Sequence, residues 1–335
     1  MSTRSLFLAL LFLTLPAPAL LAMEKKAAKT SEKQKAVATK TSTGNAVSAA
    51  AKKSSPSAAK RILFAVSQRD ATASLDPIVI IQNGKYSNPP GGDASVSQLT
   101  RFANEYYRAG TKYRLLFGGA AAGTVEVKQW NLRKECSRTE AVIKISGTDK
   151  IKGKVMGLAT DAPELGKNSR SRRLPTAKER QAVEDLARML YRQKGVSEAQ
   201  IRDGMKYVNE TATDLNGDGK VEMVATFLIK RTAGAKAVHI LFLIAEWQGA
   251  SYKVAISQYG RITAADLGGS EDRLDDLGKN TLPEVLVDQI DLDRDGTAEV
   301  IIADLAEKGV IYKIYKKQKQ GWRRAYEFFN YRCAS

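Results

Sequence analysis

Two nine-residue segments constrain this chain more than anything else in it. Asp214-Leu-Asn216-Gly-Asp218-Gly219-Lys220-Val-Glu222 and Asp291-Leu-Asp293-Arg-Asp295-Gly296-Thr297-Ala-Glu299 share the pattern D-x-[DN]-x-D-G-x-x-E. The spacing has a mechanical reason. Oxygen side chains at positions 1, 3 and 5 of a tight turn converge on one hard cation, and glycine at position 6 permits the bend. Position 7 (Lys220, Thr297) offers its carbonyl, and the carboxylate at position 9 helps to close the shell. Six or seven oxygens at about 2.4 Å suit Ca²⁺ better than Mg²⁺. The expectation is two calcium sites: Asp214, Asn216, Asp218, Lys220 and Glu222 in one, and Asp291, Asp293, Asp295, Thr297 and Glu299 in the other. Without a cation, the crowded carboxylates should show raised pKa values or a disordered loop. The competing reading is a pair of solvated Asx-rich turns between strands.

The flanks decide between loop families. An EF-hand closes with a bidentate Glu at position 12, but position 12 is Ala225 in one loop and Ile302 in the other. The segments that follow, Met223 to Ile229 and Val300 to Ala303, are apolar and β-branched, and so read as strands. A strand leaving an ion loop resembles the FG-GAP and VCBS-type repeats, as in integrin α-chain propellers. The resemblance is carried by Asp214 to Ala225 and Asp291 to Ala303, 77 residues apart, and with their flanking strands the two copies make up about a third of the chain. Each copy reads as strand, ion loop and three-strand meander, over 205–258 and 283–330, which resembles a four-stranded propeller blade. Two blades cannot close a propeller. They pack face to face, or form a partial propeller completed by the preceding domain. The resemblance implies calcium, and a β surface that binds a protein or glycan.

Upstream, composition divides the chain. Residues 1–22 carry one charge, Arg4, followed by the apolar run Leu6 to Leu15 and then Pro16 and Pro18, which reads as a secretory signal peptide cleaved after Ala19 or Ala22. Residues 23–60 are almost all Ala, Lys, Ser and Thr with no aromatic residue, a linker expected to be disordered. Of the formal charge of +17, residues 23–61 hold +8, so this tail suits electrostatic contact with an anionic envelope. No sequence-reading nucleic-acid motif is present. No later stretch reaches 18 apolar residues, so no transmembrane segment is expected after the signal. The compartment implied is a bacterial periplasm or the exterior. Cys136 and Cys333 either form a disulfide there or are separate buried thiols.

The fold class expected is mainly β with a few helices: a small α+β domain over 61–165, then 175–335 with a helix and the two blade-like antiparallel units. In the first domain, Ile62 to Val66, Ile78 to Gln82, Tyr113 to Phe117, Thr124 to Trp130, Ala141 to Ile145 and Val155 to Ala159 read as strands. Ser95-x-x-Gln98 is a capping box opening a helix of about 14 residues that Gly110 stops. Gly118 to Gly123 reads as a hairpin loop, lacking the Lys-Ser/Thr ending of a P-loop. Residues 161–175, with Arg170, Arg172 and Arg173, read as a solvated, protease-sensitive connector. Thr176-x-x-Glu179 caps a second helix whose apolar face is Val183, Leu186, Ala187, Leu190 and Tyr191. Its stop is Gly195, and Ser197 to Gln200 starts a further helical turn.

Catalysis finds little support. His239 is the sole histidine, which leaves almost no room for His-based zinc sites or Ser and Cys triads, and it reads as a structural residue of an apolar strand. The acidic cluster Glu271, Asp272, Asp275 and Asp276 could in principle supply a glycosidase carboxylate pair. The function expected is a non-catalytic periplasmic or secreted calcium-binding module with an envelope protein or glycan as partner. The alternative is an envelope carbohydrate-active hydrolase.

Overall fold

In the computed structural model, residues 60–133, 138–148, 150–167, 172–230, 236–278, 282–306 and 309–331 are described. The segment read as a signal peptide, the Lys/Ala-rich stretch up to residue 59, Arg170, Cys136 and Cys333 lie outside them. The first eight elements are β1 (Arg61–Arg69), β2 (Thr72–Gln82), β3 (Lys85–Ser87), α1 (Val96–Tyr106), β4 (Lys112–Phe117), β5 (Ala120–Trp130), β6 (Ala141–Gly147) and β7 (Gly157–Thr160). Their antiparallel pairings run β1-β7-β4-β5-β6-β2 and return through β1–β2, a closed six-stranded ring with β3 appended to β2. Closure removes the exposed edges that an open sheet of this size would carry. Every strand of the ring turns one set of side chains inward, among them Phe64, Leu75, Tyr113, Val125, Ile143 and Ala159. α1 packs on that set with Phe102, Ala103 and Tyr106. Its capping box forms as expected, with Gln98 N–H donating to Ser95 Oγ and Ser95 N–H to Gln98 Oε1. The helix has 11 residues rather than about 14, because Tyr107 already leaves helical geometry and buries its ring against Phe64.

The glycine-rich hairpin is shorter than its composition suggests. Only Gly118 and Gly119 form the turn, both at positive φ, and Ala120 to Gly123 belong to β5. Gly123 (φ 138°) lies against Gly147 (φ 140°) on β6, where an added Cβ would come within 2.2 Å of the Ser146 carbonyl oxygen. Gly123→Ala should therefore lower the unfolding free energy by about 1–3 kcal/mol, seen as a lower urea midpoint. An unchanged midpoint would refute this account of the crossing.

The remaining elements are β8 (Arg172–Arg173), α2 (Ala177–Gln193), α3 (Glu198–Gly204), β9 (Met205–Thr213), β10 (Glu222–Ile229), β11 (Ala237–Gln248), β12 (Ser251–Thr263), α4 (Glu271–Asp275), β13 (Leu282–Ile290), β14 (Glu299–Ala306), β15 (Gly309–Gln318) and β16 (Gly321–Tyr331). They build two antiparallel meanders, β12-β11-β10-β9-β8 and β13-β14-β15-β16. These are the blade-like units read from the sequence, with β8 added to the first.

Because side chains alternate along a strand, each blade buries both faces. In the first blade Met223, Ala225 and Phe227 face α2, whose Val183, Ala187 and Tyr191 are fully buried. Val224, Phe242 and Ile244 face the second blade's Val300, Ile302 and Tyr315. The second blade's other face, Ile301, Ala303, Tyr312 and Ile314, packs on Leu63, Ala65, Ile78 and Leu158 outside the ring. The layers thus run α1, ring, second blade, first blade, α2. The blades pack face to face, and the ring covers the outer side of one. All the described residues lie in one compact unit, and one continuous core crosses the 161–175 connector.

That connector is not simply solvated. Arg172 pairs with Thr213 in β8, and its side chain is 7% exposed. Its Nη1 donates to Asp288 Oδ1 (2.9 Å), to the Met156 carbonyl (3.0 Å) and to the Val287 carbonyl (2.9 Å). Its guanidinium lies 4.5 Å from the Phe117 ring centroid. Asp288 is fully buried and accepts the Gly118 N–H on both oxygens. One ion pair therefore joins the ring, the connector and the second blade.

Candidate functional site

The two acidic loops occupy matching places, each between the first two strands of a blade meander: β9 and β10 in one, β13 and β14 in the other. In each loop the position 1 carboxylate accepts two loop N–H groups, from positions 4 and 6 in the first and from positions 5 and 6 in the second. Asp214 accepts the Gly217 and Gly219 N–H groups (2.7 and 3.0 Å), and Asp291 accepts those of Asp295 and Gly296 (both 3.1 Å). Asp218 Oδ1 accepts from Lys220 N–H (2.8 Å) and Asp295 Oδ1 from Thr297 N–H (2.9 Å). Position 4 is left-handed in both, Gly217 (φ 75°) and Arg294 (φ 64°), and so is the position 6 glycine. The buried Leu215 and Leu292 anchor the loops, and their N–H groups donate to Glu222 Oε2 (2.6 Å) and Glu299 Oε2 (2.7 Å). The Ala298 N–H donates to the Leu215 carbonyl at 2.7 Å, so the two loops touch. Side chain-to-backbone bonds thus give each loop a defined shape.

The closing glutamates carry the electrostatic tension. Glu222 and Glu299 are 3% and 1% exposed. Burial pushes both carboxyls up to about 7, against the relief from the leucine N–H bonds. Asp218, Asp214 and Glu246 push Glu222 further up. Around Glu299, Asp293 pushes up and Lys316 pulls down.

The donor sets then differ. In the first loop Asn216 Nδ2 donates to Asp218 Oδ2 (3.2 Å), and Asn216 Oδ1 accepts the Asp218 N–H (3.0 Å). Among the described residues no Lys or Arg side chain ion-pairs with Asp214, Asp218 or Glu222. The second loop brings oxygens of Asp291, Asp293 and Glu299 within 4.8 Å of one another, the one such acidic triad among the described residues. Lys316, on β15, sends its Nζ to Asp293, to Asp295 Oδ2 (3.2 Å) and to Glu299 Oε1 (3.3 Å). Burial alone would lower the Lys316 ammonium, but its bonds to Asp293 and Asp295 hold it above the ordinary lysine range. Both loops carry hard oxygen donors of the kind calcium takes, but only the second gathers three carboxylates within 4.8 Å of one another, and there an ammonium already meets three of the loop's acids.

Next to the first loop, a groove of 670 Å³ opens between α2 and the β11–β12 turn. Leu186, Val221, Trp247 and Tyr252 make its apolar wall, and Lys178, Lys220 and Lys253 stand along it. Glu179 is held by Arg173 through two 2.7 Å bonds, which leaves the rim positive.

Other candidate residues resolve as follows. His239 is 8% exposed, stacks on Tyr259 and hydrogen-bonds its hydroxyl through Nδ1 (2.6 Å), a structural role. Burial, with Arg261 nearby, lowers its pKa. Glu271, Asp272 and Asp275 lie on the five-residue helix α4, and Asp276 caps it. A carboxylate pair that the sequence concealed is Glu284 and Asp304, both bonded to Lys313 Nζ (2.9 and 2.7 Å) beside a 350 Å³ cavity. Glu284 sits at φ 47° and burial pushes it up to about 7, with Lys313 opposing. Its carbonyl accepts from Asn209 and Thr226, which ties the two blades together. No signal in the linear sequence marks this pair, because its members are brought together only by the β13–β14–β15 register.

No protein-family model, curated protein or solved structure matches this chain. Among the described residues no helix is long and apolar enough to cross a membrane.

Proposed function

We propose that this protein is a non-catalytic module of the bacterial periplasm or exterior. Its Asp-rich loops bind calcium, and its β surface holds an envelope protein or glycan, in the manner of FG-GAP and VCBS-type repeats. The observation that carries the calcium reading is the first loop. Asp214, Asn216, Asp218 and Glu222 stand there at the ends of β9 and β10, with a buried carboxylate pushed up to about 7 and further carboxylates raising it. A divalent cation that draws Asp214, Asp218 and Glu222 onto one centre relieves that crowding, and it stabilises the fold because only the folded chain holds these residues in one loop geometry.

The partner reading draws on the groove beside that loop. Its wall includes Gly219, Lys220 and Val221, so an ion that firms the loop also firms the groove. An apolar floor with basic side chains around it suits an anionic ligand with an apolar or sugar body.

Metal analysis of chelator-stripped protein, dialysed against calcium and washed, should find calcium retained. Capture from envelope fractions should depend on that calcium and weaken for Trp247→Ala. Absence of retained calcium, together with a melting temperature indifferent to chelator, would end the reading. The hydrolase alternative has Glu284 and Asp304 to draw on. Lys313 binds both, and turnover of glycans abolished by Glu284→Gln would favour it.

A further inference from the structure

The two loops share a backbone but not a charge environment, and the sheet register shows where they part. Met223 lies opposite Ala245 across β10 and β11. Val300 lies opposite Tyr315 across β14 and β15. Met223 and Val300 each follow the closing glutamate of their loop. One residue beyond the partner, the first blade carries Glu246 and the second carries Lys316. The same structural position is therefore an anion beside one loop and a cation beside the other.

Lys316 meets the chemistry of its loop closely. An ammonium has three donors and no acceptor, and it faces three carboxylates, Asp293, Asp295 and Glu299. Its side chain is 18% exposed and Glu299 is 1% exposed, so solvent screens the pair weakly. An ion entering this loop would have to expel a tethered cation that is always present at high effective concentration. Arg294, at position 4 of the same loop, adds a second positive charge where the first loop has Gly217. In the first blade Glu246 is itself bonded to Lys317 Nζ and Trp322 Nε1, both at 2.7 Å. Lys317 follows Lys316 on β15, so neighbouring lysines serve the two loops in different ways.

We infer that Lys316 is the resident cation of the second loop, so that the chain binds one calcium ion, at the first loop, rather than two. The inference rests on the calcium reading above, and calorimetric titration of the full-length, chelator-stripped protein with calcium chloride separates the two. The native chain should bind one ion per chain, and Lys316→Met should bind two. In the metal-free state Lys316→Met should also melt lower than the native chain, with calcium restoring the loss. Within the native Lys316 background, Glu222→Gln should abolish the titration and Glu299→Gln should leave one ion bound. These two variants decide the matter even where Lys316→Met fails to fold. Two ions on the native chain, or one on a folded Lys316→Met, overturns the inference and leaves the calcium reading standing. No ion on either chain overturns both.

Discussion

Asp288→Asn should destabilise the fold by about 3–5 kcal/mol, the largest single-residue effect expected in this protein outside its apolar core. The substitution keeps an acceptor for the Gly118 N–H but removes the negative charge. The Arg172 guanidinium, 7% exposed, is then left unpaired among the Phe117 ring and two carbonyls. An uncompensated buried charge costs several kcal/mol, whereas an apolar pair in place of both partners is close to neutral. The burial that makes Asp288 essential also pushes its own carboxyl up, against the pull of Arg172. In urea the midpoint should fall with the denaturant slope unchanged. The double variant Arg172→Met/Asp288→Leu should regain most of the loss, a strong coupling between the two sites. Trypsin gives a second readout. Native protein should resist cleavage after Arg172, and Asp288→Asn should be cut there, because the ion pair holds β8 against β9. A loss below about 1 kcal/mol, or additive effects in the double variant, would show that this pair does not join the layers.

Local sequence was informative wherever short-range physics decides the outcome. The capping boxes at Ser95 and Thr176 formed, the turn expected from Ser197 is helical, and the strands of both meanders fall where their β-branched runs place them. The acidic loops lie between strands because Asp and Gly at fixed offsets demand a tight bend whatever surrounds them. What stayed hidden depends on contacts across long sequence separations. Closure of the ring needs β1 to pair with both β2 and β7, nearly a hundred residues apart in the second case. Arg172 reads as solvated from its basic, polar neighbours, yet Asp288 lies 116 residues away. Lys316 is one of several lysines in β15, and only the pairing of β14 with β15 shows which of them faces Glu299. Charge type is legible in a sequence, but its partner is a property of the register.

Glu222→Gln separates a calcium site from an Asx-rich turn because its two expected effects have opposite signs. In the metal-free protein the folded-state pKa of Glu222 is raised from an ordinary 4.5 to about 7, chiefly by burial. Between those values the native state holds more protons than the unfolded chain, so stability falls as pH rises through the window and levels off above it. The full shift corresponds to about 3 kcal/mol. Solvent around the exposed half of the loop screens it, so about 1–2 kcal/mol is expected. Gln keeps an oxygen for the Leu215 N–H without the buried charge. The metal-free variant should thus be more stable than the native chain at pH 8, and the difference should vanish towards pH 4.5. Calcium reverses the order. At a hundredfold excess over its dissociation constant it should stabilise the native chain by about 2.7 kcal/mol, roughly 5–10 °C in melting temperature, while Glu222→Gln should barely respond. The native response should itself fade at acidic pH, since the cation must displace the proton that Glu222 holds. Equal stabilisation of both proteins by calcium, or a variant less stable than the native chain at pH 8 without it, would return the first loop to the status of a solvated turn.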